Sequence, residues 1–278
     1  MNNIILYKYL NINKYTYDLL EKRIMHYSFP HEFNDPFDCF MVADYRSKDP
    51  DDWKKYLERL GYPPLVQSFY FNEFKKNNFD SDLIFKKYYE TKHTNYDKSL
   101  IVSCFTSRNN NFPMWAHYAN NHTGICVGFH AIQMNKNDKK YYGLYFDEDN
   151  HTGEQKPFSN FFLVTKVKYN NHLPETYNGL VDEPEATIKF ILSKYIDWKY
   201  EDEYRSILLY NDYKRQNFRF YQSMLAEVII GIKTSPDVVE KIKTILKANY
   251  IDKGYKVDLY HAEHAQKDYR INFLPIPL

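Results

Sequence analysis

Apolar positions in this 278-residue chain come in short runs, each bounded by turn formers or charges. The opening NIILYKYL has the length and composition of a strand, and the spacing after it predicts a short helix around Tyr15 to Lys22. Pro30 and Pro36 forbid a continuous element through IMHYSFPHEFNDPFDCF. From Asp51 to about Tyr96, Lys, Tyr, Phe and Asn recur at helical spacing, as in SDLIFKKYYETKH, where Leu83, Ile84, Lys87 and Tyr88 fall on one side. SLIVSCFTS has the pattern of a buried strand, PMWAHYANN that of a short helix opening at Pro113, and GICVGFH that of a strand entered through Gly124.

Residues from about Met134 to Asn160 are polar and are expected to be irregular surface. FFLVTKVKY resumes the strand pattern, a helix is predicted over Pro184 to Tyr195, and YRSILLY and AEVIIGI are strands. Ser235 then caps a helix opened by Pro236, with Val238, Ile242, Ile245 and Leu246 on one face, and YKVDLYH closes a β-α-β unit. Strands and helices mix without steady alternation and without internal repeat. The expected fold is therefore α+β: one domain over residues 1–278 with a mixed central sheet, a helical insertion at about 51–96 packed on or beside it, and the C-terminal β-α-β unit.

Composition narrows the functions this fold can carry. Lys and Arg total 37 against 36 for Asp and Glu, so no global charge draws the chain to nucleic acid or an anionic membrane. Only 8 glycines accompany 28 tyrosines and 20 phenylalanines, which disfavours a phosphate-cradling glycine loop and leaves aromatic surfaces as ligand platforms. Three cysteines, Cys39, Cys104 and Cys126, form no C-x-x-C pair and suit a reducing compartment. No segment has the length of a membrane span, so the expectation is a cytoplasmic protein without a membrane partner.

Three segments could carry chemistry. FPHEFNDPFDC places Asn34, Asp35 and Asp38 around Phe33 and Phe37, either as a turn anchored in the core by the two rings or as a rigid loop presenting polar groups to a cleft. Residues 103–129 offer Ser103, Thr106, Trp115, His117 and Tyr118. On the short helix Met114, His117 and Tyr118 share a face, so His117 is expected at the core edge, satisfied by a backbone carbonyl. His117 and His122 lack a third ligand nearby, and no metal site is assigned. WKYEDEYR, residues 198–205, puts the charges of Glu201, Asp202, Glu203 and Arg205 into an apolar run. As a strand it would send Glu201, Glu203 and Arg205 to one face and Trp198, Tyr200 and Tyr204 to the other. Such an acidic face fits a catalytic site or a structural ion-pair network.

Taken together, LYKY, FNDPFDC, SCF followed by MWAHYANNHTGICVGF, WKYEDEYR and AEVIIG resemble the bacterial domain-of-unknown-function family 2971, in order along nearly the whole chain. Thr106 stands where that family often has Ser. LYKY, SCFTS and Glu201-Asp202-Glu203 also follow the motif order of ADP-ribosyltransferase-like folds, which are α+β and bind NAD. That second resemblance implies an enzyme cleaving the nicotinamide glycosidic bond of NAD, a bacterial toxin or phage-defence effector, with a protein or nucleic-acid acceptor. It assigns Glu203 to the nicotinamide ribose, Glu201 to acceptor activation, Ser103 or Thr106 to support of the glutamate, and Tyr7, Lys8 or Tyr118 to NAD contact. Asn34, Asp35, Asp38, Trp115, His117 and Arg205 complete the candidate substrate-binding set. The alternatives are a metal-dependent phosphodiesterase or nuclease holding Mg²⁺ on Asp35, Asp38, Glu201 and Glu203, and a non-catalytic binding or regulatory module.

Overall fold

The computed structural model describes residues 4–41, 43–88, 99–136, 139–147 and 160–278. Six helices of seven residues or more lie among them: α1 Lys14–Lys22, α2 Pro50–Arg59, α3 Pro64–Lys76, α4 Ser81–Tyr88, α5 Phe112–Tyr118 and α6 Pro236–Asn249. The large sheet has nine strands: β1 Ile4–Leu10, β2 Leu100–Thr106, β3 Ile125–Lys136, β4 Lys139–Tyr145, β5 Phe161–Lys166, β6 Glu203–Leu209, β7 Leu225–Ile230, β8 Asp258–His264 and β9 Ile271–Pro275. The fold is α+β, as the sequence predicts. The chain divides into two compact units, Met1–Glu32 with Leu100–Val167 and Asp197–Leu278, and Phe33–Ser99 with Lys168–Ile196.

In the first unit, antiparallel pairings run β1-β2-β6-β5-β4-β3 and return from β3 to β1, so six strands close a ring. β3 serves three partners because it is long. Residues 125–131 pair with β1, residues 125–129 also take β7, and residues 132–136 take β4. β7 and β8 are parallel and joined through α6, which is the expected β-α-β unit, and β9 completes the sheet antiparallel to β8.

Period-two alternation sorts the side chains into two clusters. Leu6, Ile101, Phe105, Val127, Phe129 and Val228 face one side, where Leu19 and Leu20 of α1 and Ile242, Ile245 and Leu246 of α6 join them. Tyr7, Tyr9, Cys126 and Ile229 face the other, covered by Met114 and Trp115 of α5. Asn13 caps α1 by accepting from the Thr16 N–H. Ser235 precedes α6 as expected, but its hydroxyl makes no capping bond. The Ser235 carbonyl instead receives the Val238 and Val239 N–H groups.

The second unit is built on α2, α3 and α4, around Trp53, Leu57, Phe74, Ile84 and Leu180. These helices answer the expected insertion to residue 88; residues 89–96 lie outside the described residues. The insertion is tied to a distant segment by Arg59, which donates to the carbonyls of Gly179 (2.8 Å), Leu180 (2.7 Å) and Asp182 (2.6 Å).

Two expectations are corrected. The supposed surface stretch from Met134 holds the end of β3 and all of β4, because Leu144 and Phe146 are core residues whose alternation the intervening lysines and tyrosines obscure. Residues 148–159 of that stretch lie outside the described residues. The helix predicted over Pro184–Tyr195 is a 3₁₀ turn at Pro184–Thr187 and one α-turn at Ile188–Ile191, followed by a short strand at Ser193–Tyr195 paired with Lys168–Asn170. Among the described residues, no helix is long and apolar enough to cross a membrane.

Candidate functional site

The three motif-bearing strands β1, β2 and β6 are neighbours. Tyr7 stands opposite Thr106, and Thr106 opposite Glu203, so three side chains far apart in sequence form one row on one face. The row continues through Gly128 on β3 to Glu227 on β7. Burial, then the Glu227 charge, push the Tyr7 phenol well up. Glu227 was not singled out from the sequence; the available signal was a lone carboxylate inside the apolar AEVIIGI run.

Glu203 and Arg205 point the same way from β6, as strand periodicity predicts. Arg205 is wholly buried and Glu203 is 4% exposed. Arg205 Nε donates to Glu203 Oε1 at 2.7 Å and Nη2 to Oε2 at 2.9 Å, a two-point pairing of fixed geometry. Cys104 stands opposite Arg205, and burial and the Glu203 charge raise its thiol well above its ordinary value. Cys104 is therefore a protonated thiol rather than a nucleophile.

The rest of WKYEDEYR departs from the strand expectation. Residues Ile196–Glu201 form a 3₁₀ helix, and Asp202 turns the chain through the left-handed region (φ 44°) before β6 begins. Glu201 is consequently not one strand repeat from Glu203. Its buried carboxylate accepts from the Tyr118 hydroxyl at 2.7 Å, linking the acidic segment to α5. Asp202, at the break, pairs with Lys166 (2.7 Å) and receives the Ser107 hydroxyl. Burial alone would raise its pKa. The Lys166 and Ser107 hydrogen bonds, with the charges of Lys166 and Arg108, outweigh that and hold it below the usual carboxylate range.

α5 is held rigidly at both ends. Asn111 caps it through the Met114 N–H, and the Trp115 indole donates to the Asn109 carbonyl. Beyond its C-terminus Asn120, Asn121 and His122 are successive left-handed residues (φ 47°, 54° and 71°). Main-chain bonds to Ala116, Trp115 and Lys233 fix this turn, and the His122 ring stacks on Trp115. Trp115 is thus a core residue. His117, expected at the core edge with a carbonyl partner, is exposed and lies against the ring of Tyr200.

Lys8 faces the opposite side from the Tyr7–Thr106–Glu203 row, between Leu6 and Leu10. β1 and β2 share one register pair and then part, and Ser28 takes the place beside Val102. Lys8 Nζ reaches into the opening and donates to Cys104 O (3.1 Å) and Ser103 Oγ (3.2 Å). Burial lowers its pKa, while the Glu203 charge opposes this. Of the two hydroxyl candidates, Thr106 stands beside Glu203, and Ser103 belongs to the Lys8 side.

Asn34, Asp35 and Asp38 lie in the second unit. The Asp35 carboxylate receives the Phe37 N–H at 2.9 Å, and Asp38 forms a buried ion pair with Lys194 at 3.2 Å. The turn expectation holds for Asp35 but not for the anchoring rings. Phe33 is only partly buried and Phe37 is 65% exposed. Among the described residues, no group of three or more His, Cys, Asp or Glu is placed to hold a metal ion.

Residues 114–206 match the model of a protein family of unknown function, DUF2971. The matched stretch runs from α5 into β6 and includes Trp115, His117, Tyr118, Glu201, Glu203 and Arg205. It supports the family resemblance drawn from the motifs. DUF2971 thus covers the Tyr118–Glu201 bond and the Glu203–Arg205 pair, but not Tyr7, Lys8 or Thr106. No curated protein and no solved structure matches the chain.

Proposed function

We propose that the protein is an ADP-ribosyltransferase-like enzyme that cleaves the nicotinamide glycosidic bond of NAD, with Glu203 and Glu201 as its catalytic carboxylates. The observation that carries this reading is the register Tyr7–Thr106–Glu203 across three adjacent strands. Motifs about a hundred residues apart meet in one row, which the order of motifs alone did not require. Glu203, fixed by Arg205 in a dry setting, is preorganised to bond a ribose hydroxyl and to stabilise the oxocarbenium-like charge that develops as nicotinamide leaves. Glu201, oriented by Tyr118, is the group to accept a proton from the attacking acceptor.

The test is release of nicotinamide from NAD by purified protein. Glu203→Gln is expected to lower the rate by on the order of a hundredfold or more while NAD still binds. Failure of the wild type to bind or consume NAD would overturn the proposal. One observation favours a second reading, a non-catalytic module: Arg205 neutralises Glu203 entirely within the protein. On that reading Glu203→Gln changes stability and no activity. The phosphodiesterase alternative lacks a metal-ligand set among the described residues.

A further inference from the structure

Within the first unit a cavity of about 460 Å³ opens beside Lys8, between β1, the start of α1 and the strand Ile24–His26. Its volume falls within the roughly 300–1,000 Å³ of small-molecule sites. Three features of its lining point to one class of ligand.

Charge is the first. Lys8 and Lys14 both line the cavity, and its one acidic residue, Asp18, is committed to Lys22 at 2.7 Å. The partners of Lys8 Nζ are a neutral hydroxyl and a neutral carbonyl, with no carboxylate at ion-pairing distance among the described residues. No carboxylate touches that ammonium directly, and an anionic group in the cavity supplies such a contact. The lowered pKa of Lys8 agrees with this, since burial has removed water that a bound anion replaces.

The second feature is an aromatic rim. Tyr15 is 69% exposed, its ring 6.2 Å from that of His26. An aromatic face left in water at a cavity mouth is a stacking platform for a planar ring. The third is hydrogen-bonding capacity between cation and ring. Asn217 lies 2.9 Å from His26 through its side-chain oxygen, and its amide nitrogen stays available to the cavity.

We propose that this cavity is a nucleotide-binding subsite, taking a phosphate on Lys8 and Lys14 and a base on Tyr15. Tyr118 lines the same cavity and donates to Glu201, so the subsite adjoins one of the carboxylates assigned above. In that respect it rests on, and deepens, the NAD-cleaving assignment.

The test is calorimetric titration of the full chain with ADP, inorganic pyrophosphate and adenosine. ADP and pyrophosphate are expected to bind, and Lys8→Gln to weaken both by about tenfold or more. Tyr15→Ala is expected to weaken ADP by about fivefold or more while leaving pyrophosphate within about twofold. Absence of binding to the wild type, wild-type ADP affinity in either variant, or wild-type pyrophosphate affinity in Lys8→Gln overturns the subsite. If Lys8→Gln does not fold by circular dichroism, the Tyr15→Ala titrations decide alone, because that side chain is exposed. The two proposals fail separately. Lys8- and Tyr15-dependent ADP binding without NAD turnover removes the catalytic assignment and keeps the subsite; Glu203-dependent turnover with ADP affinity indifferent to Lys8 and Tyr15 does the reverse.

Discussion

Arg205 grips Glu203 with two parallel N–H donors from two positions along the same strand, at 2.7 and 2.9 Å, with both side chains almost entirely buried. Changing either charge alone breaks a buried two-point ion pair. Glu203→Gln and Arg205→Met are each expected to cost about 3 kcal/mol or more in urea unfolding, whereas the Glu203→Leu/Arg205→Met double variant recovers much of that loss. A double variant that is additive would show that the partners act independently.

Acid stability should depend on Asp202. Its folded pKa lies below its ordinary 3.8, so its contribution is complete above the unfolded value and is lost as pH falls through the lower folded value. Urea midpoints of the wild type should therefore decline below about pH 4 more steeply than those of Asp202→Asn. Identical acid limbs would show that the Lys166 and Ser107 contacts contribute nothing measurable.

Gly128 leaves room for the side chains of Tyr7 and Glu227. A Cβ there would stand 2.8 Å from Glu227 Cγ, 2.9 Å from Ile5 Cγ2 and 3.0 Å from Tyr7 Cε1, all side-chain atoms. At Gly124 it would meet the backbone oxygen of Leu10 at 2.2 Å. Gly128→Ala is expected to lose about 1–3 kcal/mol, and Gly124→Ala more, because backbone yields less than a side chain. Thermal unfolding of the two variants gives the order.

Thiol chemistry offers a check on the Glu203 surroundings. Burial and then Glu203 raise Cys104, and burial and then Glu227 raise Cys126. Neither should react with a thiol-exchange reagent at mildly alkaline pH in the folded protein, and both should react in denaturant. Cys104 is partly exposed, so its rapid modification in the native protein would mean that its thiol ionises more readily than the Glu203 charge allows.

Much of the fold was legible because strand alternation is local. Leu6 against Tyr7 and Tyr9, and the α6 face of Ile242, Ile245 and Leu246, are readable from spacing alone. The 198–205 segment was half legible for the same reason. Glu203 and Arg205 share a face, but the alternation could not reveal that Asp202 adopts a left-handed backbone and ends the strand early, since that conformation is held by the distant Ser107 and Lys166. The reach of Lys8 to Ser103 and Cys104 was not legible at all. It follows from the parting of β1 and β2, which depends on Ser28 entering beside Val102. Likewise nothing local marks Gly179–Asp182 as the partner of Arg59, because the bond joins residues more than a hundred positions apart.

Closing six strands into a ring also governs how this protein can meet another chain. An open sheet offers two outer edges to an intruding strand; here one end of the sheet returns on itself, leaving β9 as its terminal strand among the described residues. That edge is poorly equipped to template further growth. Pro275 and Pro277 have no N–H to offer, and the intervening Ile276 N–H is already given to Leu259. A strand added from outside would run out of donors at Leu274, so the chain carries at its margin a built-in stop against sheet-to-sheet aggregation.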